Sequence, residues 1–100
     1  MTEYEEFAQF KLPPHSLEAE QSVLGGLMID AHLLDEVSET LSGEDFFRPA
    51  HRIIYRAILK VRRLGDGVDL LTVAEAIPDL HEVGGAGYLA EIAANTPSTT

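Results

Sequence analysis

Pro49-Ala-His-Arg-Ile-Ile-Tyr-Arg-Ala-Ile-Leu-Lys-Val-Arg-Arg-Leu-Gly65 is the stretch that decides the fold. Ile53, Ile54, Ala57, Ile58, Val61 and Leu64 recur at three- and four-residue intervals, the period of one face of an α-helix. Pro49 suits the first helical position, where its missing N–H costs nothing and its φ is already helical. Gly65 suits the left-handed residue that ends a helix. Lys60, Arg62 and Arg63 crowd the last turn, where cations complement the negative end of the helix dipole. A helix this clearly bounded and two-faced, in a chain of 100 residues, is predicted to be the element around which the rest packs.

Working outward towards the N-terminus, Ser42-Gly-Glu-Asp45 has the spacing of a capping box, with Asp in place of the usual Glu. It should open a single turn that delivers Phe46 and Phe47, of which only one can be fully buried. Asp30 caps a helix running to about Leu41, with Leu33, Leu34, Val37 and Leu41 as its stripe. Ser16 caps an earlier helix over 17–29, with Glu18 and Glu20 in its first turns, where acids favour the dipole. Leu17, Leu24, Leu27 and Met28 form its apolar stripe, and Glu18, Gln21, Ser22 and Gly25 fall away from it. Gly25-Gly26 inside that helix predicts close approach of another helix, since each glycine otherwise weakens it. Leu12-Pro13-Pro14 forbids helix ahead of Ser16, and residues 1–11 read as a loose tail.

Towards the C-terminus, Gly65-Asp-Gly67 is a turn, and Asp69 or Thr72 caps a short helix that ends before Pro78, with Val73 and Ile77 inward. Residues 78–85 are a connector. A last helix over about 86–94 carries Tyr88, Leu89 and Ile92. Asn95-Thr-Pro97-Ser98 stops it and caps a following one. No segment alternates as a strand does, and there is no internal repeat. The predicted fold is all-α, a compact bundle of about five to six short helices around one central helix.

Composition narrows the function classes. Hydrophobic residues make up 45% of the chain and aromatics 7%, with no Trp, so aliphatic side chains must fill the core. The absence of Cys excludes disulfides and thiolate metal sites. Residues 1–10 carry three Glu and no cation, the wrong sign for a signal or transit peptide. No apolar run is long enough to span a bilayer, so a cytoplasmic protein with no membrane partner is expected. Seventeen acids against seven Lys and Arg give a net charge of −10, a poor starting point for holding a phosphate backbone. The expected partners are proteins, not nucleic acid.

The motifs for chemistry fail one by one. His15, His32, His51 and His81 include no pair at the i, i+4 spacing of a helical zinc site, and no HExxH occurs. His51, near the start of the central helix, reads as a buried hydrogen-bonding residue. Gly85-Ala-Gly87-Tyr-Leu-Ala90 formally matches a dinucleotide fingerprint. That fingerprint needs a buried strand before it, and Pro78-Asp-Leu-His-Glu-Val83 is too short and too polar to be one. There is no GxxxxGK[ST], hence no P-loop, and no GxSxG. Glu44 and Asp45 are neighbours that cannot face one another on a helical turn, so they read as capping residues. No catalytic, cofactor-binding or metal-binding residue is predicted.

Five blocks carry a family resemblance. They are Pro13-Pro-His-Ser-Leu-Glu-Ala-Glu-Gln-Ser-Val-Leu-Gly-Gly-Leu-Met28, Glu44-Asp-Phe-Phe-Arg-Pro-Ala-His-Arg-Ile-Ile-Tyr-Arg-Ala-Ile58, Val68-Asp-Leu-Leu-Thr-Val-Ala-Glu75, Val83-Gly-Gly-Ala-Gly-Tyr-Leu-Ala-Glu-Ile92 and Asn95-Thr-Pro-Ser98. In this order they resemble the N-terminal domain of bacterial replicative DNA helicases of the DnaB-type hexameric family. The resemblance implies a helical head over residues 12–97 that joins others in a collar on the helicase ring. The partners it implies are the primase C-terminal domain, the helicase loader and other helicase subunits. Residues 98–100 would begin the family's helical hairpin. The hairpin, the linker and the P-loop motor, with its ATP and Mg, are expected to lie outside this chain. Weak or no self-association is therefore expected of the chain alone. The stretch between Ile77 and Val83 looks shorter than the family's usual connector.

The residues expected to meet partners are Glu18, Gln21 and Ser22, opposite the apolar stripe of the first helix, and Tyr88. The phenol of Tyr88 can combine apolar contact with one hydrogen bond. A competing reading is a free-standing adaptor or inhibitor that mimics the collar and binds primase or loader.

Overall fold

The structure is a computed structural model that describes residue 12 and residues 16–94. The predicted tail over 1–11, the prolines at 13 and 14, His15, and the stop-and-cap sequence from 95 onward lie outside the described residues. So does the C-terminal limit assigned to the head.

Five helices follow in order: α1 (Leu17–Ile29), α2 (Ala31–Val37), α3 (Pro49–Arg63), α4 (Leu70–Ala76) and α5 (Gly85–Ala94). Two 3-10 turns, Gly43–Asp45 and Leu80–Val83, sit in the connections. Polar caps set most of the starts. The Ser16 hydroxyl accepts the Ala19 N–H at 3.2 Å, and the Asp30 carboxylate accepts that of His32 at 3.0 Å. Asp69 and Thr72 cap α4 reciprocally: Asp69 accepts the Thr72 N–H at 2.9 Å, and the Thr72 hydroxyl accepts the Asp69 N–H at 3.0 Å. At the Ser42 turn, Asp45 takes the Ser42 N–H at 2.7 Å. Asp79 caps the second turn, so the predicted connector contains a short helical piece.

α3 is the central helix. It packs against α1, α4 and both 3-10 turns, while α5 closes over α1 and α4. Gly65 ends it in the left-handed region at φ 82°. Leu24, Leu27, Phe46, Ile54, Ile58, Val73 and Leu89 are fully buried in one core. Among the described residues there is no strand, and the bundle is all-α as the periodicity requires.

Several local readings shift. α2 stops at Val37, short of Leu41, because Ser38 and Thr40 turn their hydroxyls back onto the carbonyls of Asp35 and Val37. Leu41 is still buried. Leu64 lies past the end of α3 and is 67% exposed, so it does not belong to the core stripe. Tyr55 takes a place there instead. Its hydroxyl donates to the Leu41 carbonyl at 2.6 Å. Burial, and then the nearby Asp45 carboxylate, push its phenol up to about 12.

The glycine pair in α1 divides. Gly25 is buried, but a Cβ built on Gly26 meets nothing within 4 Å, so close helix approach does not explain Gly26. Gly26→Ala should therefore stabilise the domain by about 0.5–1 kcal/mol, the helix-propensity difference. Urea melts of the two proteins test this, and a loss of stability would restore the packing explanation.

Candidate functional site

The first turns of α1, the start of α3 and the start of α5 converge on a buried polar chain. Glu20, from α1, is 1% exposed, and His51, from α3, is 0% exposed. The His51 Nδ1 lies 2.7 Å from Glu20 Oε1, and its Nε2 lies 2.6 Å from the Tyr88 hydroxyl on α5. Gln21 Nε2 donates to the same hydroxyl at 3.1 Å. One assignment of protons satisfies every group. Gln21 donates to the Tyr88 oxygen, the Tyr88 O–H donates to Nε2 of a neutral ring, and Nδ1–H donates to the Glu20 carboxylate. No buried side-chain polar atom among the described residues lacks a partner.

The carboxylate does a second job. Glu20 Oε2 accepts the Phe47 N–H at 2.7 Å, and Oε1 accepts that of Arg48 at 3.4 Å. The N-cap of α3 is Arg48, which makes no side-chain capping bond, so the positive end of the helix has no local side-chain acceptor. A carboxylate from α1 supplies one over a separation of 27 residues. Burial pushes the Glu20 carboxyl up. The Phe47 N–H, the His51 ring and the Arg48 N–H together outweigh that and hold it below its ordinary value of 4.5.

Gly84 makes room for the Tyr88 end of the chain. Its φ is +99°, and a Cβ there would stand 3.1 Å from Tyr88 Cβ and 3.2 Å from Cγ. Glycine is needed both for the left-handed turn into α5 and for the ring that folds back over it. This is the work of Gly84 alone, since a Cβ on Gly85 or Gly87 would meet nothing within 4 Å, and the element before them is a 3-10 turn, not a strand. The dinucleotide fingerprint is thereby set aside on structural grounds.

Carboxylate, imidazole and hydroxyl in a row resemble a hydrolytic triad only in outline. The hydroxyl is a phenol already held by Gln21, and the carboxylate is occupied in capping a helix. The chain joins three helices. Tyr88→Phe, which removes the hydroxyl from two partners at once, should cost about 1–2 kcal/mol in a denaturant melt. A change within error would mean that the hydroxyl holds nothing together.

Above the chain lies an open depression of about 600 Å³, lined in part by Leu17, Gln21, Arg48, His81 and Tyr88. Two of the residues expected to meet partners, Gln21 and Tyr88, are thus hydrogen-bonded to each other on its wall, both half-buried. Glu18 and Ser22, one turn apart on α1, are exposed and lie outside its lining. Glu20 was read from sequence as a helix-dipole acid, and the structure turns it inward. Its position between Leu17, Leu24 and Leu27 on the helical wheel carried that signal. Among the described residues, no group of three or more His, Asp or Glu is placed to hold a metal. No helix among them is long and apolar enough to cross a membrane.

The fold is a small all-α head whose buried polar chain joins three helices. Residues 12–100 match the DnaB-like helicase N terminal domain, and the chain belongs to that family. It is 50% identical over 94 residues to the replicative DNA helicase DnaB of Buchnera aphidicola from Acyrthosiphon pisum, covering 91% of this chain and 20% of that protein. It is 45% identical over 91 residues to the replicative DNA helicase DnaB of Geobacillus stearothermophilus, covering 88% and 20%. The crystal structure of the N-terminal domain of DnaB helicase from Mycobacterium tuberculosis superimposes with a TM-score of 0.80 at 40% identity, over 86% of this chain and 64% of that one. The chain spans about one fifth of the length of the curated relatives it matches. It is the N-terminal, non-catalytic domain of this helicase family.

Proposed function

We propose that this chain is the collar head of an ATP-dependent replicative DNA helicase, and that it serves hexamer assembly and the docking of primase and helicase loader. The observation that carries the reading is the match over residues 12–100 to a family of helicase N-terminal domains. A head stiffened from within and a net charge of −10 suit a protein partner better than a phosphate backbone. ATP and Mg belong to the motor of the parent protein, which works in the bacterial cytoplasm. Glu18, Gln21, Ser22 and Tyr88 are the residues assigned to partner contact, with the Tyr88 ring offering its flank because its hydroxyl is engaged inside the head.

Calorimetric titration of the chain with a purified primase C-terminal domain tests this. Saturable binding is expected, with no ATP turnover by the chain and a monomer in sedimentation. Absence of binding at the highest attainable concentration, or ATP hydrolysis by the chain alone, would overturn it.

A further inference from the structure

Six of the seven Lys and Arg residues lie between Arg48 and Arg63. At 100° per residue, Arg48, Arg52, Arg56, Lys60 and Arg63 fall within an arc of roughly 120° on one side of α3. The buried residues His51, Ile54, Ile58 and Val61 take the other side. Arg48, Arg52, Arg56 and Lys60 are spaced four apart and form a single oblique ridge, roughly 18 Å long from first to last. Arg48, Arg56, Lys60 and Arg63 are exposed, and Arg52 is half-buried with its Nε donating to the Phe46 carbonyl at 2.6 Å. Arg62 stands apart, forked onto Asp35 at 2.7 and 3.1 Å. Among the described residues, no carboxylate is paired with any of the five ridge cations. In a protein of charge −10 these cations are gathered on one side of one helix, where an approaching anion lowers their mutual repulsion.

The ridge has an apolar border. Arg56 and Lys60 flank a depression of about 260 Å³ floored by Ile53, Ala57, Ile77 and Pro78. A phosphodiester strand would match the cations and leave that floor unused. A segment carrying both carboxylates and rings would match both. The chain contains one: Thr2-Glu-Tyr-Glu-Glu-Phe-Ala-Gln-Phe10 has three acids, three aromatic rings and no cation. It is also within reach. Leu17, at the start of α1, and Arg48, the first cation of the ridge, line the same depression at one end of the molecule. Nine residues can extend roughly 30 Å, more than the length of the ridge. Tethering raises the effective concentration of such an arm to about the millimolar range, enough to hold weak contacts.

We infer that the cationic ridge of α3 is a docking site for the acidic aromatic segment 2–10 of the same chain. Acids pair with Arg52, Arg56 and Lys60, and a ring is placed against Ile53 and Pro78. Docked there, the arm competes with other acidic segments for the ridge.

The test is NMR on the full chain, uniformly ¹⁵N-labelled, alongside two variants: E3Q/E5Q/E6Q, which neutralises the arm, and R56E/K60E, which reverses the ridge. Arg56 and Lys60 are exposed, and circular dichroism checks that both variants remain folded. In the parent chain at low salt, the heteronuclear NOEs of residues 3–10 are expected to approach those of the helices. They should fall to free-chain values in both variants and in high salt, where exposed ion pairs are screened. Backbone amides of Arg52, Arg56 and Lys60 should shift in the arm variant, at every protein concentration. Identical NOEs in all three proteins would overturn the inference. So would pairing that appears only as concentration rises, which would place the arm on a second copy. A single-stranded oligonucleotide that shifts the ridge amides at physiological salt without releasing the arm would also overturn it.

Discussion

Replacing Glu20 with alanine is expected to cost the fold about 3–5 kcal/mol, the largest effect of any single polar substitution. The loss does not come from one contact. Truncation leaves the His51 Nδ1–H buried without an acceptor, and it removes the acceptor of the Phe47 and Arg48 N–H groups at the start of α3. The orphaned Nδ1–H, which is fully buried, costs about 1–3 kcal/mol, and the two part-buried N–H groups add less each. A domain of this size has only about 5–15 kcal/mol in total, so the variant should be partly unfolded near body temperature. Glu20→Gln is the milder test. Its amide oxygen can still accept the backbone N–H groups, but its NH₂ opposes Nδ1–H, and a cost of about 1–2 kcal/mol is expected in urea.

The same residue sets an acid limit. The folded-state carboxyl is held below its ordinary value of 4.5. Its contribution is therefore fully present above that value and drains away as pH falls through the folded pKa. Between these two points the unfolded chain binds the extra proton, so stability falls as pH falls. Comparing wild type with Glu20→Gln across this window isolates the effect from the other carboxylates. The gap between them should be widest near neutrality and narrow as pH falls below 4.5 and through the folded pKa. A constant gap would mean that the carboxylate charge is not what His51 and the helix end require.

The second large effect separates two adjacent residues. Phe46→Ala should cost about 3–5 kcal/mol and Phe47→Ala less than about 1 kcal/mol. Phe46 is 0% exposed and meets the Tyr55 ring at a centroid distance of 5.0 Å, whereas Phe47 is 55% exposed. The Ser42 turn aims the first ring inward, and the chain then passes outward to begin α3 at Pro49. Thermal melts of the two variants decide it, and equal losses would contradict the placement of the turn.

These cases also show what could be read from the sequence. The helices were legible because caps and periodicity agree at each start: Ser16, Asp30, Asp69 with Thr72, and Pro49 each mark a helix that forms. The end of α2 was not, because back-bonding by Ser38 and Thr40 competes with a helical pattern that still reads well through Leu41. That only one of the two Phe residues is buried was predictable, but not which. The polar centre was half legible. His51 reads as a buried hydrogen-bonding residue from its place at the start of the central helix, and Gln21 and Tyr88 stand out, each for a different reason. Their union with Glu20 depends on α1, α3 and α5 meeting at one end, which no local pattern encodes. An acid in the first turn of a helix is favoured by the dipole wherever it points, and that masked the inward turn of Glu20.

The central proposal is that the head docks proteins through Gln21 and Tyr88, on the wall above this buried chain, and through the exposed Glu18 and Ser22 beside them on α1, and residue-resolved NMR tests it most directly. Titrating ¹⁵N-labelled chain with a primase C-terminal domain should move the resonances of Glu18, Gln21, Ser22 and Tyr88 first and furthest. The core amides of Ile54, Ile58 and Val61 should stay in place. Saturable shifts confined to the opposite side of the bundle, or none at all, would contradict it.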